Sequence, residues 1–179
     1  MAAAADSAAS SNGSLAVLTE KVKLPLLPPP SVEELEKIRA SEEEKLQQLR
    51  SEGKGEHDIE IDVHEAKKQW AEELIELIRA GKAANEIEIP IQVMRIGEVG
   101  IVAIPGEAFV ELGQSIKAVG KHIMVASYAN GNIGYIPTAQ AYQEGGYEVD
   151  SAYQYYGLQM IGPESAAIIV NTARRFLRK

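Results

Sequence analysis

Apolar and polar residues change period twice along this chain, and each period predicts a different kind of element. Val32, Leu35, Ile38, Leu46 and Leu49 recur at helical spacing among many Glu, Lys and Arg residues, which predicts a helix near 32–51. Ser31 followed by Glu34 is a capping-box pattern at its start, and Gly53 and Gly55 close it. Ala66, Trp70, Leu74, Leu77 and Ile78 share one face of a second helix near 62–80, with Trp70 read as a packing anchor. The period then drops to two. Ile87, Ile89, Ile91 and Val93 alternate with polar residues, predicting a half-buried strand near 87–96. Gly97-Glu98 can turn the chain into an apolar strand at 99–104, so the two are expected to pair as a hairpin. Pro105-Gly106 breaks that strand, and Phe109, Leu112, Ile116 and Val119 mark a helix near 107–119. A third strand is expected near 122–128, then a long loop, then a helix near 163–178 opened by Pro163.

This is a mixed α/β layout with a short sheet and peripheral N-terminal helices. Three strands make a thin sheet and the two charged helices have no evident partner surface, so the expectation is part of a larger domain. Residues 1–23, opening on MAAAADSAASSNGS, are read as a disordered Ala/Ser-rich tail, and residues 24–179 as the folded unit. Within the latter, LPLLPPPS at 24–31 is expected to be extended, because each proline fixes its own φ and restrains its predecessor.

Composition narrows the chemistry. A net charge of −8 argues against nucleic acid and against anionic membrane surfaces, both of which select cationic patches. No apolar run reaches the length of a spanning helix. The absence of cysteine removes disulfides and thiolate metal sites. The N-terminal residues lack the basic and apolar regions of a signal peptide, and the compartment is left unassigned. His57, His64 and His122 are the only histidines; His64-Glu65 lacks the second histidine of a zincin motif. No P-loop, dinucleotide fingerprint or GxSxG elbow is present.

The site-like stretch is SYANGNIGYIPTAQAYQEGGYEVDSAYQYY, which holds all seven tyrosines between Tyr128 and Tyr156, together with Gly131, Gly134, Gly145 and Gly146. Glycines admit tight turns and close approach of a ligand, while phenols donate, accept or ligate. Glu107, just past a buried strand and a Pro-Gly break, falls at the C-terminal edge of the sheet, where open α/β sheets bind ligands. Its plainer reading is a helix-start acid. The next strand should deliver Tyr135 to the same edge, and Tyr147 follows Gly145-Gly146 in a comparable setting. Tyr128, Tyr142, Tyr153, Tyr155 and Tyr156 are read as packing residues. An alternative of a different class is a non-catalytic interaction module that uses loop 128–156 as its binding surface, since tyrosine is favoured at interface anchors.

The stretches IQVMRIGEVGIVAIPGEAFVELG and YANGNIGYIPTAQAYQEGGYEV resemble the C-terminal part of the neutral/alkaline ceramidase catalytic domain and its bacterial relatives. The resemblance covers about residues 86–179 and, less closely, 22–80. It implies a zinc-dependent amide hydrolase acting on an N-acyl amide or sphingolipid-like molecule. It further implies Glu107 of the Pro-Gly-Glu motif and Tyr135 as zinc ligands, and Tyr147 as a catalytic phenol that contacts the reacting amide. The family's two zinc-binding histidines lie in an N-terminal half outside the matched stretches, and none of His57, His64 or His122 has a matching context. The chain is therefore expected to be a C-terminal portion carrying half of the metal site, inactive alone and partnered by the other half.

Overall fold

The computed structural model describes residues 13–178 and bears out the mixed α/β class. Its main sheet has four strands in the order β1 (Leu15–Pro25), β2 (Glu86–Ile96), β3 (Val99–Ala103) and β5 (Ile123–Ala126). The first three run antiparallel; β5 lies parallel to β3 and is reached through helix α3 (Val110–Lys117). The β2–β3 hairpin forms as expected, with Ile96 opposite Val99 and Gly97 at φ 59. Positive φ at the first of two loop residues is what a type II′ hairpin turn requires.

The first strand corrects the tail assignment. Residues 15–23 are not a tail: they form most of β1, paired along its length with β2 from Leu15↔Ile96 to Pro25↔Glu86. Leu18, Val22 and Leu24 face inward while Val17, Thr19, Lys21 and Lys23 face out, a period-two pattern masked by the Ala/Ser residues before it. Lys21 and Lys23 reach across to Glu88 and Glu86 at 2.8 and 2.5 Å. The remainder of that assignment, residues 1–12, lies outside the described residues.

One face of the sheet carries the core. Val22, Leu24, Ile89, Ile91, Val93 and Val102 pack against Leu112 and Ile116 of α3 and against Ile169, Ala173 and Phe176 of α7 (Ser165–Leu177). The described residues leave the opposite face largely uncovered. Across it Val17, Met94, Ile101 and Met124 stand in one register row, with Val17 and Met124 exposed.

Helices α1 (Val32–Ser51) and α2 (Ile59–Arg79) form a hairpin. The capping box is present: the Glu34 amide donates to Ser31 Oγ at 3.2 Å, and the Ser31 amide to Glu34 Oε2 at 2.8 Å. The second helix begins at residue 59 rather than 62, because the Asp58 carboxylate caps it by accepting from the Glu60 amide at 2.9 Å. The two helices do have a partner surface. Leu35, Trp70, Ala71, Leu74 and Ile75 make a second small core, and Trp70 crosses from it to the tyrosine segment. Its indole N–H donates to the Leu158 carbonyl at 2.8 Å, and its ring meets Tyr153 edge-on at 5.7 Å. Tyr153 belongs to α6 (Ala152–Tyr155), one of three single-turn helices, with α4 (Ala141–Glu144) and α5 (Tyr147–Asp150), that follow the site loop.

Candidate functional site

The site forms where the C-terminal ends of β3 and β5 release their loops. Gly106 follows the strand break, and the helix expected at 107–119 starts later, at Val110. Glu107–Ala108 instead make a short strand, β4, that pairs in parallel with β6 (Tyr135–Ile136). This corrects the placement of Glu107, which lies on a strand rather than in a first helical turn. The reason is tertiary: the Glu107 amide donates to Gly134 O at 2.8 Å and the Phe109 amide to Ile136 O at 3.2 Å, so a distant segment supplies the ladder. On the other side, the Tyr128 amide donates to Gly106 O and the Ala129 amide to Ile104 O, both at 3.0 Å.

In that ladder Glu107 and Tyr135 are direct Cα partners. Paired residues on neighbouring strands project to the same side with backbones about 4.8 Å apart. The structure thus brings together the carboxylate and the phenol singled out from the sequence. Their approach depends on Gly106, where a Cβ would lie 2.8 Å from Gly134 O and 2.9 Å from Ile136 Cδ1. Gly106→Ala is accordingly expected to cost about 1–3 kcal/mol through overpacking. Urea denaturation checks it; an unchanged midpoint would show that the ladder tolerates the methyl group.

Tyr147 also joins the group. Its ring meets Tyr135 edge-on at 6.0 Å and stacks on Tyr155 at 6.0 Å, and Phe109 meets Tyr135 from another side at 6.5 Å. Lys67 Nζ of α2 lies 5.3 Å from the Tyr155 ring centroid, a cation–π contact. Tyr156 packs beside Gly134, whose φ of 76 excludes most side chains. Tyr142 and Tyr153 pack as expected, the Tyr142 hydroxyl donating to Ile161 O at 2.5 Å.

Tyr128 is the residue that sequence reasoning missed. Its sequence context reads as packing, yet it is half exposed and its hydroxyl donates to Glu107 Oε2. Its backbone sits at φ 55, a region that costs an L-residue roughly 1–2 kcal/mol. The available signal was its place directly after a strand at the ligand-binding edge.

Electrostatically the cluster is a set of phenols around Glu107, with Glu148 acting on Tyr147 and the Lys67 ammonium over Tyr155. The hydrogen bond to Glu107 holds the Tyr128 phenol well above the ordinary range. Burial, then the Glu107 charge, raises Tyr135; burial, then Tyr155, raises Tyr147. These phenols stay protonated at neutral pH and act as donors. The cluster can therefore orient a hydrogen-bond acceptor beside a fixed negative charge.

Carboxylate and phenol oxygens suit a divalent cation in kind but not in number. Among the described residues no group of three or more His, Cys, Asp and Glu side chains is placed to hold a metal. A catalytic zinc takes roughly three protein ligands and keeps one position open. The histidines lie elsewhere: His64 contacts Glu42 within the helical hairpin, and His122 precedes β5, at the end of that strand away from the site. By itself this donor set does not fit a complete catalytic zinc site.

No protein-family model and no curated protein matches the chain. Among solved structures it is similar to neutral ceramidase from Pseudomonas aeruginosa, at 21% identity and a TM-score of 0.39, over 50% of this chain and 15% of that one. It is also similar to a ceramidase complexed with C2, at 22% identity and a TM-score of 0.41, over 50% of this chain and 14% of that one. The chain thus spans a small part of the length of the structures that it matches.

Proposed function

We propose that this chain forms one wall of a zinc-dependent amide hydrolase site, with Glu107 and Tyr135 as its metal-facing oxygens and Tyr147 as the phenol facing the substrate amide. The observation that carries this reading is the parallel pairing of Glu107 with Tyr135. The substrate class is an N-acyl amide, sphingolipid-like in the reading that the Pro-Gly-Glu and Asn-Ile-Gly-Tyr motifs suggest. Zinc, when bound, would supply activated water and polarise the carbonyl. The chain's own residues have simpler tasks. Glu107 contributes the negative charge that a cation needs. Tyr147, a phenol that stays protonated at neutral pH, donates a hydrogen bond to the carbonyl oxygen as that oxygen gains charge. Tyr135 supports the Tyr147 ring through their edge contact.

In this reading the remaining ligands come from a second wall. The apolar row Val17, Met94, Ile101 and Met124 on the open sheet face offers it a place to rest. The isolated chain is then expected to bind zinc weakly and to show little amidase activity. Calorimetric zinc titration of Tyr135→Phe against the unaltered chain tests the assignment. About a tenfold weaker affinity is expected on removing one oxygen contact, or about 1.4 kcal/mol. Stoichiometric binding unchanged in Tyr135→Phe would remove Tyr135 from the site.

A second reading, a binding module without chemistry, draws on the exposure of Tyr128, Tyr147 and Tyr156 at 51%, 52% and 40%. Exposed aromatic rings suit a protein interface as well as a substrate. Absence of any zinc uptake, together with a well-folded monomer by light scattering, would favour it.

A further inference from the structure

We propose that Tyr128 is a positioning residue that fixes the direction in which Glu107 presents its carboxylate. Three observations carry this. First, Tyr128 occupies φ 55, a conformation that bulky residues avoid and that Gly adopts freely. The same loop supplies Asn130 and Gly134 at φ 69 and 76, residue types suited to that region, so a tyrosine at 128 runs against the backbone preference. Second, the ring is not there to fill the core, since 51% of the residue is exposed. Third, its hydroxyl reaches Glu107 Oε2, and the backbone geometry that aims it is set from the Glu107 side. The Tyr128 amide is held by Gly106 O and the following amide by Ile104 O, both at 3.0 Å. The segment that carries the carboxylate therefore also holds the residue that orients it.

Glu107 is a long side chain on a two-residue strand, and its ladder neighbour Tyr135, wedged between the Phe109 and Tyr147 rings, meets the carboxylate from one side only. A donor fixed to Oε2 stops the carboxylate from swinging toward solvent. Any effect on a cation rests on Glu107 being a ligand, as proposed above. Residues that hydrogen-bond a ligating carboxylate typically change metal affinity by about 10–100-fold when removed.

The test uses the whole chain with Tyr128→Phe, which keeps the ring and loses the hydroxyl, and Tyr128→Gly, which also relieves the backbone. In metal-free protein, NMR side-chain couplings of Glu107 should report one rotamer in the unaltered chain and averaging in both variants. Thermal unfolding should be unchanged or later for Tyr128→Gly, because the phenol serves the carboxylate rather than the fold. With zinc alone as probe, calorimetry should show about 10–100-fold weaker binding in Tyr128→Phe. A Glu107 side chain still locked in Tyr128→Phe overturns the positioning role, as does zinc affinity equal to that of the unaltered chain when uptake depends on Glu107. If the rotamer result holds and no form of the chain takes up zinc, the orienting role of Tyr128 stands and the metal reading alone fails.

Discussion

Glu107→Ala is expected to abolish measurable zinc uptake by this chain while leaving its unfolding transition in place. Glu107 supplies the negative charge facing Tyr128 and Tyr135, because these phenols are held protonated. Two unit charges about 4 Å apart interact by about 1 kcal/mol in water and about 4 kcal/mol at an effective permittivity near 20, and a divalent cation doubles either figure. A hundredfold loss of affinity corresponds to about 2.8 kcal/mol, within that range. Stability should move little, since Glu107 is only half-buried and its partner Tyr128 is exposed enough to hydrogen-bond water instead. Parallel calorimetry and thermal denaturation would check both halves. Zinc uptake undiminished in Glu107→Ala would end the metal reading, and a large drop in melting temperature would mark Glu107 as structural.

Trp70→Ala should have the largest effect on folding, about 3–5 kcal/mol. Trp70 is 3% exposed and touches both the helical hairpin and the tyrosine segment. Its removal opens a cavity among Leu35, Leu74 and Ile75, leaves the Leu158 carbonyl without its 2.8 Å donor, and deletes the edge contact to Tyr153. Small domains have about 5–15 kcal/mol in total, so such a loss would unfold a large fraction of the chain under mild denaturant. Urea titration followed by far-UV circular dichroism reads it, because the only tryptophan is lost. Trp70→Phe, which keeps apolar volume and loses the N–H, should fall between. A shift below about 1 kcal/mol would mean that the hairpin docks by other contacts.

The α1 helix was legible almost to the residue. Its start is set by Ser31 and Glu34, and its face by residues three or four positions apart, so every signal lies within one or two turns. The same holds for the β2–β3 hairpin, whose turn needs a glycine in a fixed place. β1 was not legible. A strand is completed by a partner that lies about seventy positions away in this chain, and its short alternating pattern gives no warning of that partner. Glu107 was picked out correctly as lying at the sheet edge, yet its local structure was misread. The Phe109–Val119 pattern is helical, and only Gly134 and Ile136 pull Glu107 and Ala108 into a ladder.

The chain order by itself determined the α/β class, the two N-terminal helices, the rim on which chemistry could gather, and the candidates Glu107, Tyr135 and Tyr147. Those follow from periodicity, from prolines and glycines, and from local capping, all of which act over a few residues. Tertiary structure alone decided that Glu107 and Tyr135 stand side by side, that Tyr128 turns back onto the carboxylate, and that the described residues leave one sheet face largely uncovered. Each of these depends on backbone hydrogen bonds and packing between segments far apart in sequence, whose closure no local pattern encodes.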